Sequence, residues 1–289
     1  MYSYILLIRQ HIMAGNTVWF LIPGIIFVLL LVFTLLKKKD MKLVVLYFSM
    51  SAIAGFLEIV IFFLFESYEY YPQVWNDWYY DNTFGAYLSQ RFFVSSVAIF
   101  VAAFNLGFGF ILLFIAMFVG IEYAFLALKV YKLNWWHPTY TAIGLLIYFY
   151  IGKVWYRCLL DGSYRFFRMF TLGCFAFTLY TDVIAIPTLS GHYEFAVDWF
   201  DNPSRDTVIV ILIYCLTRGY LIAFVCCYKR HWVYLSFLTA AIWLSYIVLI
   251  QFDIFIYKHL WDLWLFAASD LIVLFSSLYF NRVLSRPDK

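Results

Sequence analysis

Residues 92–128 run for 37 positions with one charged side chain, Glu122. At about 1.5 Å per residue an unbroken helix of that length would reach ~55 Å, against a bilayer hydrocarbon core of about 30 Å. One crossing is too short to hold it. The natural break is Asn105-Leu106-Gly107-Phe108-Gly109, where the glycines can take a positive φ without a Cβ clash and Asn can satisfy freed backbone groups. Two helices joined by a tight turn are therefore expected.

The rest of the chain fits the same solvent. Only 13% of its residues are charged and 65% are hydrophobic, whereas about a quarter of a soluble protein's residues are charged. Apolar runs predict nine membrane-spanning helices at 18–36, 43–65, 84–104, 110–128, 139–156, 168–189, 207–228, 233–252 and 260–280. The fold class is thus an all-α polytopic transmembrane helix bundle, with residues 1–289 forming a single integral membrane domain. Arg91 and Lys153 fall inside their nominal spans and must snorkel toward an interface. The first 17 residues lack a small-residue cleavage site, so the first span is expected to remain as an anchor. All five cysteines (Cys158, Cys174, Cys215, Cys226 and Cys227) are expected to be buried thiols.

Charge placement gives the expected orientation, because Lys and Arg are retained on the cytoplasmic side during insertion. With nine crossings, thirteen basic residues fall on one side: Lys37, Lys38, Lys39, Lys42, Lys153, Arg157, Arg165, Arg168, Lys229, Arg230, Arg282, Arg286 and Lys289. Six fall on the other, and Arg218 lies within a helix. The amino terminus is expected outside and the carboxyl terminus inside. Lys129 and Lys132 are exceptions to the bias. The outer loops at 66–81 and 191–206 are acidic and aromatic, without the spacing of a calcium loop, and are expected to be solvated.

Internal repetition is suggested by Tyr131-Lys132 and Trp135 followed by Thr141-Ala142-Ile143, against Tyr228-Lys229 and Trp232 followed by Thr239-Ala240-Ala241-Ile242. The offset is about 97, relating hairpin 110–156 to hairpin 207–252 as inverted copies, an arrangement common in secondary transporters.

Charges inside spans are the informative ones, since each costs about 2.5–3.5 kcal/mol at the bilayer centre on insertion scales. Five qualify: Glu58, Glu122, Asp182, Arg218 and Asp270. They form the candidate intramembrane polar site, expected to open outward. Asp182 is the expected partner of Arg218, because their helices are consecutive. A purely structural role for these charges is the competing reading.

Enzyme signatures fail: no His-Glu-x-x-His, no Gly-x-Ser-x-Gly, and no histidine pair placed to hold a haem within a span. No catalytic residue, metal ligand or cofactor is implied, and no basic block suggests nucleic acid. The run from Glu122-Tyr123 through Tyr131-Lys132-Leu133-Asn134-Trp135-Trp136-His137-Pro138 resembles a segment of uncharacterised small polytopic membrane proteins of spore-forming bacteria, over about a fifth of the chain. That resemblance implies a bacterial plasma membrane and brings no catalytic residues with it. The sequence favours a small-solute or ion transporter-like protein. The alternative is a non-catalytic membrane partner or sensor whose acidic, aromatic outer loops recognise another protein.

Overall fold

The computed structural model describes residues 2–162, 164–228 and 232–285, and of these described residues 80% are helical. Among the described residues nine helices are long and apolar enough to cross a membrane: Gly15–Lys38, Met41–Leu64, Trp78–Ala103, Phe108–Ala127, Pro138–Leu160, Arg165–Leu189, Pro203–Tyr228, Val233–Gln251 and Leu260–Leu284. This is a multi-pass membrane protein. Lys229, Arg230, Arg286 and Lys289 of the basic set lie outside the described residues.

In chain order the elements are α1 (Tyr2–Lys38), α2 (Met41–Glu58) continued by a π-helical turn (Ile59–Leu64), β1 (Tyr68–Tyr70), α3 (Trp78–Leu88), a second π-helical turn (Ser89–Val94), and α4 (Ser95–Ala103). Then follow α5 (Phe108–Ala127), β2 (Tyr131–Leu133), α6 (Pro138–Leu160), α7 (Arg165–Leu189), β3 (Tyr193–Phe195), α8 (Pro203–Tyr228), α9 (Trp232–Gln251), β4 (Phe255–Tyr257) and α10 (Leu260–Leu284).

The long apolar stretch does break, but the residue with positive φ is Asn105 (47°) rather than either glycine. Asn tolerates the left-handed region better than other side chains. Gly107 is extended and caps α5, and Gly109 lies inside that helix. Lys153 is half-buried and reaches the turn between two spans, where its Nζ donates to the Leu106 carbonyl at 2.6 Å and satisfies a backbone oxygen. Arg91 is buried, and so are four of the cysteines, whereas Cys158 is exposed.

The chain divides into two compact units, Met1–Asp40 with Ala54–Trp155, and Met41–Ile53 with Tyr156–Lys289. In the first, Phe27 of α1 meets Phe93 and Phe118 at 5.3 and 5.5 Å between ring centroids. In the second, α7 and α8 are in close backbone contact where Gly219 faces Phe177.

The loops expected to be solvated are built structure. Tyr68–Tyr70 pairs antiparallel with Tyr131–Leu133, and Tyr193–Phe195 with Phe255–Tyr257. Lys132 lies opposite Glu69 in register, and its Nζ reaches that carboxylate at 2.9 Å. One of the two misplaced lysines thus has its counter-charge on the neighbouring strand. The carboxylate of Asp81 is buried and accepts the backbone N–H groups of Gln73, Val74 and Trp75 at 2.7–3.0 Å. Removing that acceptor leaves three donors short of a partner, so Asp81→Ala is expected to lower unfolding stability by about 1–3 kcal/mol. Denaturation in detergent followed by tryptophan fluorescence checks this.

The units repeat one another at their strand-bearing ends. Positive φ occurs at Glu66 and Gly191, and at Gln73 and Asp198, each pair 125 residues apart. It recurs at Lys129 and Asp253, 124 apart. Tyr70 N donates to Asn82 Oδ1, and Phe195 N to Thr207 Oγ1, again 125 apart. Strand-end bonds match as well: Tyr71 N to the Val130 carbonyl answers Ala196 N to Ile254, and Asn134 N to Ser67 answers Lys258 N to His192. This recurrence relates α5 to α9, whereas the sequence matches near an offset of 97 place α5 against α8.

Candidate functional site

Each unit encloses a polar cluster next to its strands. In the first, Glu58 ends α2 just before the π-helical turn and is 4% exposed. Its Oε1 accepts from the Tyr68 hydroxyl and from Gln90 Nε2 at 2.6 Å. Gln90 sits in the second π-helical turn, and such insertions re-aim side chains and recur at functional sites. Glu122 on α5 is 8% exposed and takes a long 3.5 Å bond from the Tyr131 hydroxyl. The rings of Tyr68, Tyr70 and Tyr131 pack at 4.8–5.6 Å from one another. They join the two glutamates into one cluster. The Oε2 atoms of Glu58 and Glu122 have no hydrogen-bond partner.

In the second unit, Arg218 on α8 and Asp270 on α10 form an ion pair at 3.2 Å, with both side chains about 4% exposed. Tyr180 donates to Asp270 Oδ1 at 2.8 Å, and Arg218 donates to the Tyr246 hydroxyl. The guanidinium carbon lies 4.2 Å from the Tyr214 ring centroid and 4.3 Å from that of Tyr246. The carboxylate paired with Arg218 is Asp270 on α10, where Asp182 on α7 is expected from sequence. On α7 the side chain turned toward this pair is Tyr180. Asp182, two residues on and so on a different face of an α-helix, is half-buried.

Of the five charges, the structure joins Glu58 with Glu122 and Arg218 with Asp270. Sequence reasoning missed the tyrosines and Gln90 that complete both clusters. The signal was present, since a buried tyrosine hydroxyl needs a partner, but 25 tyrosines in one chain hide the few that matter. Between α8 and α9 lies a groove of about 560 Å³, lined by Val210, Ile213, Leu244 and Val248, with Tyr214 and Ser245 among its few polar groups.

Outside the spans, electrostatics follow from the strands. Burial pushes the hydroxyls of Tyr68, Tyr70 and Tyr131 above the ordinary tyrosine range, and the nearby glutamates add to it. Glu69 is half-buried; burial opposes its ionisation, but hydrogen bonds from Tyr71, Lys132 and Asn134 outweigh that and hold it below the usual range. A lowered folded-state value means its contribution is full above the unfolded value, about 4.3. That contribution is lost as pH falls through the folded value. The stability difference between wild type and Glu69→Gln is expected to close as pH is lowered from 7 to 3, as read by thermal melts.

No family model matches the chain, nor does any curated protein or solved structure match it significantly.

Proposed function

We propose that this multi-pass protein moves a small solute or ion across a bacterial plasma membrane, with its amino terminus outside and its carboxyl terminus inside. The observation that carries the reading is the pair of glutamates, Glu58 and Glu122, inside membrane-spanning segments with one carboxylate oxygen each left unpartnered. Ionisable groups within spans are expensive to keep, and marking an ion or solute path is a common reason for keeping them. Counting crossings in this orientation puts all four strands on the outer side, so both glutamates lie toward the external solution. Arg218 and Asp270, closed on each other, serve as a structural pair.

Uptake by proteoliposomes holding the purified full chain, screened over ions, amines, amino acids and sugars, tests this. A transported solute is expected to lose at least tenfold in rate in Glu58→Gln and Glu122→Gln. Unchanged uptake in both variants sinks the reading.

A second reading, recognition of another membrane or extracellular protein, has one observation in its favour. Trp135 and Trp199, at the strand-bearing ends, are 50% and 58% exposed, and tryptophan is enriched at protein contacts. Loss of a co-purifying partner in Trp135→Ala or Trp199→Ala, with melting unchanged, would favour it.

A further inference from the structure

The two units make the same strand-capped end with different charges beneath it. Glu122 matches Tyr246 at the offset of 124 that relates α5 to α9, and Gln90 matches Cys215 at the offset of 125 that relates α3 to α8. Arg218 has no basic counterpart: the residues 125 and 124 positions earlier are Phe93 and Val94. In the second unit, then, the space beside the position of Glu122 is taken by a guanidinium, set against the rings of Tyr214 and Tyr246 and paired with one carboxylate. In the second unit this place in the fold is thus occupied by a guanidinium held between aromatic rings and a carboxylate.

The first unit has the other half of such a site. Tyr68, Tyr70 and Tyr131 supply ring faces, whose negative quadrupoles attract a cation. Glu58 and Glu122 supply two carboxylates whose hydrogen-bond donors, Tyr68 and Gln90 on one and Tyr131 on the other, are all neutral. Each keeps an Oε2 without a hydrogen-bond partner, although the two residues are 4% and 8% exposed. Two carboxylates buried around the same three packed tyrosine rings are unfavourable in their charged forms unless they take up protons or a positive group stands between them.

We infer that the first unit binds a small organic cation of the alkylammonium or guanidinium class between Glu58 and Glu122, against the rings of Tyr68, Tyr70 and Tyr131, and that the second unit holds the same site filled by Arg218. This deepens the transport reading by naming its substrate class, and rests on it only for the claim that the cation crosses.

The experiment is direct binding to the full chain in lipid nanodiscs. Methylammonium chloride and, separately, guanidinium chloride at low millimolar concentration are titrated by calorimetry, with sodium chloride holding ionic strength constant. Saturable binding of at least one organic cation is expected, weakened at least tenfold in Glu58→Gln and in Glu122→Gln. Glu194→Gln, at the exposed residue that matches Glu69 in the second unit, should bind like wild type. Glu122→Tyr, which installs the residue of the second unit, guards against a variant that fails to fold: it should melt like wild type and not bind. Absence of saturable binding to folded wild type, binding of sodium in preference to both organic cations, or undiminished binding in the Glu58 and Glu122 variants each overturns the inference. Binding that depends on both glutamates, without uptake in proteoliposomes, would sink transport and leave the site standing. Uptake of protons alone that needs both glutamates would do the reverse.

Discussion

Arg218→Met is expected to lower the unfolding free energy by about 3–5 kcal/mol, because it leaves the Asp270 carboxylate buried without a counter-charge. The size follows from enclosure: both partners are about 4% exposed, so solvent cannot take over the hydration that the guanidinium now replaces. Loss of the cation also removes the donor to Tyr246 and the charge facing two tyrosine rings. The double variant Arg218→Met with Asp270→Leu should recover most of the loss, since exchanging a whole buried pair for apolar side chains of similar volume is often neutral. It should not recover all of it, because the Tyr180 hydroxyl would then lack its acceptor. Unfolding in detergent, followed by tryptophan fluorescence, reads both variants. A single variant as stable as wild type would mean that the pair is hydrated, and the contrast between the two units would then lose its basis.

The nine spans were legible because apolar runs of about 20 residues have no other use in a chain this poor in charge. What was not legible is what depends on neighbours. The third span was expected to begin at residue 84, yet α3 begins at Trp78, capped by Asp77, whose side chain accepts from Tyr79 N and Tyr80 N. That cap could have been read from sequence; it was obscured by Asp81 and Asn82, whose buried side chains bond to backbone that loops back over them. The strands were out of reach, since three residues of Tyr-Glu-Tyr pair with a segment about 63 positions away. Choosing Asp270 for Arg218 requires knowing that α10 lies against α7 and α8, and helix order is not written in hydropathy. The repeat was hidden for a different reason. It resides in backbone conformation, with positive φ at Glu66 and Gly191 or at Lys129 and Asp253, and the residue types at these matched positions differ. The matches near an offset of 97 rest instead on residue types, Tyr, Lys and Trp followed by Thr-Ala-Ile or Thr-Ala-Ala-Ile, and pair different helices.

Gly219→Leu is the second large effect, and it reports on the same cluster through the backbone. A Cβ at Gly219 would sit 2.7 Å from the backbone nitrogen of Phe177 and 3.1 Å from its Cα. Backbone cannot rotate aside as a side chain can, so α7 and α8 must separate. Without a hydrophobic force between helices in lipid, close approach at small residues is a main source of their association. We expect a loss of about 3 kcal/mol or more, at the upper end of overpacking effects. Gly173→Ala on the same interface should cost less, since its Cβ meets the ring of Tyr220 at 2.7 Å and that ring can swing. Gly120→Leu, where no atom lies within 4 Å, should stay within about 0.5 kcal/mol of wild type. Melting of the three variants in one detergent gives the ranking, and equal losses at Gly219 and Gly120 would refute the close crossing. Because Arg218 directly precedes Gly219, pushing α8 outward also draws the guanidinium from Asp270. The Gly219 and Arg218 variants should therefore combine to less than the sum of their separate losses, as coupled neighbours do.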